Sequence, residues 1–534
     1  MPHTGEELIA LHGPMASERF LYEAKWRDVS FLAVPSRSTE ENGTRGRDRS
    51  VKTYDNTAMV AADRLAAGIS GLMTSPALEW MLLQPLDPNV DDDDALAWMD
   101  DAQQFAFAVF RSPTSGFQSA LNESYLDDVG FGTSAIFTDF VVGRGIQYRT
   151  VPLDELFIAN GGDGRVNTIF RLKKFTAAQA AEFFGKENLS SAAKKDLEGT
   201  ERLTKQREYF HVVLPRGDKA VRGMSLGINK PFASIYLDKD AAHIVREGGF
   251  DEMPYAVSRW KIASGEVYGT SPAMDVMDEI RLINVLKKIQ LVAGDKASDP
   301  PLQVSDNTVL GRLRSGAGGV TYVRHGAEIK QIPTGDPRVS GEMIAEARAF
   351  IDRGFFQDIL NLPLQDRMTA TEVVERRSDK LQTLSPFAAR LQEEKHSPLI
   401  GRTLAIAIRQ GMLRPPPPSL GAGIRVEYVS PLAISQKSSQ VQATSVWINQ
   451  LLPLAQIDPD VMEGVKTEEF ARFSAEALHV PRQLVRSVEE IQQRREAKEQ
   501  ERQEANAVTT GREVAETAKT AAEASAVAGS IGLG

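Results

Sequence analysis

Carboxylates are the residues of this chain most able to do chemistry. Asp91, Asp92, Asp93 and Asp94 form an acidic run that would attract Mg²⁺, and Asp275, Asp278 and Glu279 set three more carboxylates at helical spacing. Both groups have a plainer reading. The run precedes Ala95-Leu96-Ala97-Trp98, so it places negative charge at the positive end of a helix dipole, and the trio fits a solvated helix face equally well. Gly-x-Ser-x-Gly occurs once, from Gly223 to Gly227. A nucleophile elbow needs a helix directly after its serine, and Asn229-Lys230-Pro231 opposes one. Gly130-x-Gly132-x-x-Ala135 has the spacing of a dinucleotide-binding turn, but the residues after it read as strand, not helix. The Gly-Lys pair, Gly185-Lys186, is followed by Glu187 and completes no phosphate-cradling loop. The histidines (His3, His12, His211, His243, His325, His396, His479) are scattered. With no cysteine, thiol nucleophiles, disulfides and cysteine-ligated metals are all removed. No catalytic residue, metal or cofactor is implied.

Bulk composition narrows the class. In 534 residues, 62 Lys and Arg against 72 Asp and Glu leave a net charge of −10, which argues against static nucleic-acid binding through a dominant basic surface. Apolar residues at 42% and charged residues at 25% are ordinary globular composition, and the length predicts several domains. No apolar run approaches the roughly 18 residues of a membrane span, and MPHTGEELIALHGPMASERF lacks the pattern of a signal peptide. The expectation is a large, soluble, acidic protein of a reducing, cytoplasmic compartment, with no membrane partner.

The elements that would position any site are more telling. Ala58, Ala61, Ala62, Leu65, Ile69 and Leu72 predict an amphipathic helix ended by Ser75-Pro76, with further helices over 95–110 and 117–128. Alternating runs over 134–142, 146–151, 166–175, 207–214, 232–237 and 242–246 predict strands, so residues 1–265 read as one α+β domain. Ser271-Pro272 starts a helix reaching about Ala293, roughly 33 Å long. Its positions 273, 276, 277, 280, 283, 286 and 289 form one apolar face, and Leu282, Val285 and Val292 add a second. Such a helix needs neighbours on two sides. Short strands over 302–333 and a matching helix over about 340–360 complete a hairpin around a small β module. A long helix over 369–412 comes next, opened by a Thr369/Glu372 capping box and expected to kink at Pro386 and Pro398. Tetraproline 415–418, a strand at 424–429 and helical patterns over 436–503 close the chain.

Several segments resemble the portal proteins, the head-to-tail connecting proteins of short-tailed double-stranded DNA bacteriophages. They are TYDNTAMVAADRLAAGISGLMTSPALEWMLL (53–83), SALNESYLDDVGFGTSAIF (119–137), VPLDELFIANGGDGRVNTIFR (151–171), EGGFDEMPYAVSRWKIASGEVYGTSPAMD (247–275), DPPLQV (299–304), MTATEVVERRSDKLQTLSPFAARLQEEKHSPLIGR (368–402) and VEYVSPLAISQKS (426–438), in the family's order. The resemblance implies an α+β portal fold: an α/β wing, a two-helix stem, a small β-containing clip, a long kinked wing helix and a helical crown. Here these map to a wing at 1–265, stem helices at 266–298 and 340–362, and a clip at 299–339. A tunnel loop falls at 361–369, the long wing helix at 369–412, the crown at 413–494, and a flexible or barrel-like helical tail at 495–534.

The resemblance further implies a homo-oligomeric ring, typically a dodecamer, at the portal vertex of the virion, assembled in the host cytoplasm. Double-stranded DNA passes through its channel non-specifically, and terminase, tail adaptor, capsid and scaffolding proteins are partners. Expected channel residues are Leu364, Gln365, Asp366, Arg367 and Met368 in the tunnel loop and Glu342, Glu346, Arg353 and Asp358 on the stem. Arg312, Arg314, Arg324 and His325 in the clip are expected to meet an adaptor or terminase. Trp260 is expected to be a core anchor, and the mixed run 375–380 to form ion pairs. Two other functions stay open: a non-portal scaffold of the virion, which would explain the long helices, and a Mg²⁺-dependent nuclease using the acidic groups above.

Overall fold

A threonine and a glutamate three residues apart start the first helix. The Thr4 hydroxyl accepts from the Glu7 N–H and the Glu7 carboxylate accepts from the Thr4 N–H, a capping box ahead of α1 (Gly5–Leu32). The computed structural model describes residues 4–37, 53–87, 92–217, 227–298, 302–304, 322–326, 329–331, 339–360, 384–421 and 423–428, with scattered residues beyond 440. It divides into two compact units, Met1–Val90 with Ala95–Tyr428, and Asp91–Asp94 with Val429–Gly534. In the second, residues 443–451 are helical.

In the first unit, α2 (Thr57–Met73) buries Ala58, Ala61, Ala62, Leu65 and Ile69, the apolar line read from the sequence, and stops ahead of Pro76. β1 (Met81–Pro85) is followed by α3 (Asp93–Arg111), whose first-turn acids Asp93 and Asp94 are grouped with the second unit, and by α4 (Phe117–Phe131). Gly132 ends α4 in the left-handed region at φ 74, and a Cβ there would lie 2.6 Å from the Gly269 carbonyl oxygen. The Gly-x-Gly pattern therefore serves close backbone packing, and a strand begins at once after it. β2 (Thr133–Val141), β3 (Gly145–Val151), β4 (Leu156–Asn160) and β5 (Val166–Thr176) precede a helical insert, α5 (Ala177–Phe184) and α6 (Ser191–Glu198). β6 (Gln206–Pro215), β7 (Phe232–Asp238), β8 (His243–Phe250) and β9 (Tyr255–Arg259) complete two antiparallel sheets, ordered β4-β5-β6-β7-β8 and β3-β2-β9.

Both faces of the five-stranded sheet are covered. Leu8 and Met15 of α1 pack on Phe157, Phe170, Phe210 and Ile235, while Ala180 and Phe184 of α5 join Tyr209 and Val245 in a second cluster. The main core joins α1 to α4, the three-stranded sheet and the later helical segments. Those are α7 (Pro272–Asp275), α8 (Met277–Ser298), α9 (Val339–Gly354), α10 (Gln357–Leu360) and α11 (Ser397–Arg409). β10 (Leu302–Gln303) pairs antiparallel with β11 (Lys330–Gln331) between α8 and α9. β12 (Ile424–Tyr428) returns to pair with β1.

The long helix differs from expectation. Residues 384–391 are helical, the turn ahead of Pro386 lies outside the described residues, and near Pro398 the irregularity is a π turn over Gln392–His396. Pro398 has no N–H for the Glu394 carbonyl, and a wider turn at that place accommodates the loss. The expected Thr369/Glu372 cap, the run 375–380 and the Gly223–Ser225 part of the Gly-x-Ser-x-Gly pattern lie outside the described residues.

Candidate functional site

Ser271 opens the helical hairpin by accepting from the Met274 N–H at 3.0 Å and donating to the Gly130 carbonyl at 2.6 Å. The expected single helix from Pro272 is broken at Val276 (φ −111, ψ 21), between α7 and α8. The second arm breaks as well, between α9 and α10, where Phe356 takes φ 55. The two breaks pack on each other, since a Cβ on Gly354 would lie 2.2 Å from Val276 Cγ1. Phe356 packs 5.8 Å from Phe387, which stacks at 4.8 Å on buried Trp260. Such packing offsets the cost of about 1–3 kcal/mol for a left-handed non-glycine residue.

Above the breaks each arm has two faces. Ile280, Ile283 and Leu286 of α8 share the buried core with Ile344, Ala347, Ile351 and Phe355. On the opposite side of α8, Leu282, Val285, Ile289 and Val292 are 46%, 55%, 53% and 46% exposed. At about 100° per residue they fall within an arc of roughly 80°. Ile289 thus belongs to this outer stripe and not to the buried line expected from the sequence, because nine residues after Ile280 is two and a half turns, the far side of the helix.

Glu342, Glu346 and Arg353 of α9 are all exposed and cluster within roughly 40° of arc, opposite the buried line of that helix. The Arg353 guanidinium lies 4.8 Å from the Phe350 ring centroid, and its Nε donates to the Ala349 carbonyl. Asp358 is exposed but lies beyond the break, on α10, so the structure does not place it on the same helix as the other three. Arg324 and His325 are exposed beside β11, within 322–326. Leu364, Gln365, Asp366, Arg367 and Met368, with Arg312 and Arg314, lie outside the described residues.

Polar anchors that the sequence reading did not pick out hold the hairpin base. Asn284 Oδ1 accepts from the N–H groups of Tyr54 and Asp55 at 2.9 and 3.3 Å, while its Nδ2 donates to Ile280 O at 2.8 Å. Asp55 pairs with Arg348 of α9 at 2.6 Å and accepts from the Thr57 N–H. Burial alone would raise the pKa of Asp55, but Thr57 and Arg348 hold it below the ordinary carboxylate range. Arg281 bridges Asp278 at 2.9 Å and Asp28 of α1. Asp275 pairs with Lys261 at 3.4 Å, so two members of the carboxylate trio are held in ion pairs. Among the described residues no group of three histidine or acidic side chains is placed to hold a metal.

The π turn points four successive side chains at partners. Glu393 pairs with Arg165 at 2.6 Å, Glu394 with Arg259 at 2.7 Å, Lys395 with Asp128, and His396 Nε2 bonds the Tyr125 hydroxyl at 2.7 Å. Lys395 and Asp128 are both fully buried, and Asp128 also accepts from the Ser258 hydroxyl. Burial lowers the pKa of Lys395 although Asp128 opposes the shift. Burial, with the Lys395 charge, pushes His396 down to about 3. Burial raises neighbouring Asp127 to about 6 despite Arg37 at 2.6 Å. A charged turn with this many long-range partners ties this helical segment to α4, β9 and the turn before β5.

A family described as bacteriophage head to tail connecting protein matches residues 6–485. The chain is 28% identical over 501 residues to a probable portal protein of Bordetella phage BPP-1, covering 90% of this chain and 88% of that protein. It is 29% identical over 507 residues to the portal protein of Salmonella phage epsilon15, covering 92% and 90%. A solved structure titled virion of native gene transfer agent (GTA) particle aligns with TM-score 0.36 at 12% identity, over 73% of this chain and 84% of that one.

Proposed function

This chain belongs to the bacteriophage head to tail connecting proteins, and on that footing we propose how its hairpin makes the connection. The protein is a portal protein, a head-to-tail connector of the virion, in an oligomeric ring with capsid and tail components. In the proposed ring, typically of twelve copies, α8 packs its outer stripe against the next subunit and α9 turns Glu342, Glu346 and Arg353 toward the bore. The observation that carries this reading is the α8 stripe: four half-exposed aliphatic side chains opposite a face already buried. Covering what remains exposed is worth on the order of 1 kcal/mol per side chain, repeated at every subunit boundary.

The bore chemistry is dictated by sliding. Duplex DNA carries a charge about every 1.7 Å, so about 20 phosphates lie beside a hairpin of roughly 33 Å. A lysine and arginine ring matched to them would hold the duplex fast; a face of two glutamates and one arginine, in a chain of net charge −10, lets it pass during packaging and ejection. Terminase and the tail adaptor would dock at the β10–β11 end, where Arg324 and His325 are exposed. Replacing Val285→Asp with Ile289→Asp tests the assignment. Both side chains are exposed in the single chain, so its melting temperature should hold within a degree or two. Sedimentation and negative-stain images should lose the ring. Rings that persist in the double variant would refute the interface.

A further inference from the structure

The five-stranded sheet bears a row of side chains that the hairpin has no use for. Strand register sets Arg171, His211, Tyr236 and Arg246 side by side on four successive strands, β5 to β8. Lys173, two residues after Arg171, shares their face. On one side α5 closes in, with Phe183 and Phe184 ring centroids 5.7 and 5.2 Å from Tyr236. On the other lies the three-stranded sheet, with Phe137 and Tyr255 rings 6.0 and 5.8 Å from His211 and Arg149 paired in register with Phe137. The result is a trough floored by a rigid polar stack. His211 is bonded through Nδ1 to the Tyr255 hydroxyl at 2.7 Å and through Nε2 to Ser234 Oγ at 3.0 Å, and it stacks on Tyr236 at 4.4 Å.

The cations here are treated unlike others on these strands. Lys174 and Lys239 pair with Glu208, Arg207 with Asp196, Arg216 with Glu247, and Lys230 with Asp251. The side chains of Arg149, Lys173 and Arg246 make no ion pair or hydrogen bond among the described residues; Lys173 lies 6.0 Å from the Tyr236 ring centroid, and Arg171 pairs with Glu155 at 2.9 Å. Asp139 is the other acidic group whose charge reaches the row. Burial, then the charge of Arg171, push Lys173 down to about 8; Glu155 opposes the shift, Arg149 adds to it, and an added anion would oppose it further. Strands about 4.8 Å apart put the ends of the row about 14 Å apart, a length over which one DNA strand presents about four phosphates. A small anion would engage one end at a time; a polymeric one spans the row.

We propose that this row, Arg149, Arg171, Lys173 and Arg246, holds the phosphodiester backbone of double-stranded DNA on the outside of the connector, apart from its channel. Closed circular duplex DNA tests it, because a closed circle cannot thread a ring. The assembled wild-type protein should retain the circle in low salt. Arg149→Gln with Arg246→Gln, at two exposed positions, should leave the ring intact by sedimentation, weaken retention and reduce the log–log salt slope by about 2. Arg64→Gln, an exposed change off the row, should leave both unchanged. No retention of circles, or the same salt slope in the double variant, would overturn the proposal. So would preferential capture of polyglutamate or inorganic phosphate with no capture of DNA, since that would assign the row to another anion.

Discussion

Around the π turn even fully buried charges find partners within the chain, whereas along α8 four aliphatic side chains face away from the core that buries the other side of that helix. Lys395 meets Asp128, His396 meets Tyr125 and Glu394 meets Arg259. Leu282, Val285, Ile289 and Val292 stay about half exposed although α8 already has a complete buried face. The charges of the turn are satisfied within the chain; the α8 stripe is the surface that the proposed ring would cover. A change at the π turn should therefore register as lost stability of the single chain, and a change on the α8 stripe as lost assembly.

The largest effect should come from the π turn. Lys395→Met leaves the Asp128 carboxylate buried without its cation and should cost about 3–5 kcal/mol in chemical denaturation. Adding Asp128→Asn should recover much of that loss; no recovery would mean that the turn depends on packing and not on the pair.

Acid should come next, acting on buried groups of the sheet, the π turn and α4. His211 and His396 are buried neutral, with pKa values lowered mainly by burial, to about 3 for His396. In the unfolded chain each binds a proton near 6.5. Their stabilisation is present above that pH and is lost as pH falls toward the folded values, by about 1.4 kcal/mol per pH unit per histidine. Asp127, raised to about 6, acts in the opposite sense, because its folded form gains a proton first. Between about pH 6.5 and 4.5 the two histidines oppose Asp127, and the net change is a loss of stability. His396→Gln should flatten the profile of melting temperature against pH; an unchanged slope would exclude His396 as a contributor.

Gly354→Ala probes the hairpin base with a smaller expected effect. The added methyl meets Val276, a stiff β-branched side chain, at a cost of about 1–3 kcal/mol against a helix-propensity gain of about 1 kcal/mol. Val276→Ala in the same chain should restore stability measured by thermal melting. Failure to do so would show that the two breaks are not coupled.

Much of the frame was legible because it rests on local rules. The α2 stripe, the stop before Pro76, the acidic first turn of α3 and the strands after Gly132 all arise from periodicity, capping and turn chemistry. The first helix was equally open to reading through its Thr4/Glu7 capping box but was missed, since Pro14 and weak amphipathicity obscure the rest of its length. β4, β9, α5 and α6 are too short to announce themselves by period. Of the expected site, Glu342, Glu346 and Arg353 share one solvent face, as spacing alone requires; Asp358 is separated from them by the Phe356 break, which no local signal marks.

By itself the sequence determined the helical hairpin, the two-faced character of α8, the absence of cysteine chemistry and the family segments in their order, because all of these live in residue type and spacing. Only the tertiary structure decided which α8 face is spare, where both arms break, how Asn284 and Asp55 anchor them, and that Lys395 finds Asp128 across 267 positions of chain. Such long-range pairings depend on which surfaces the rest of the fold has already covered, and spacing along one segment holds no record of that.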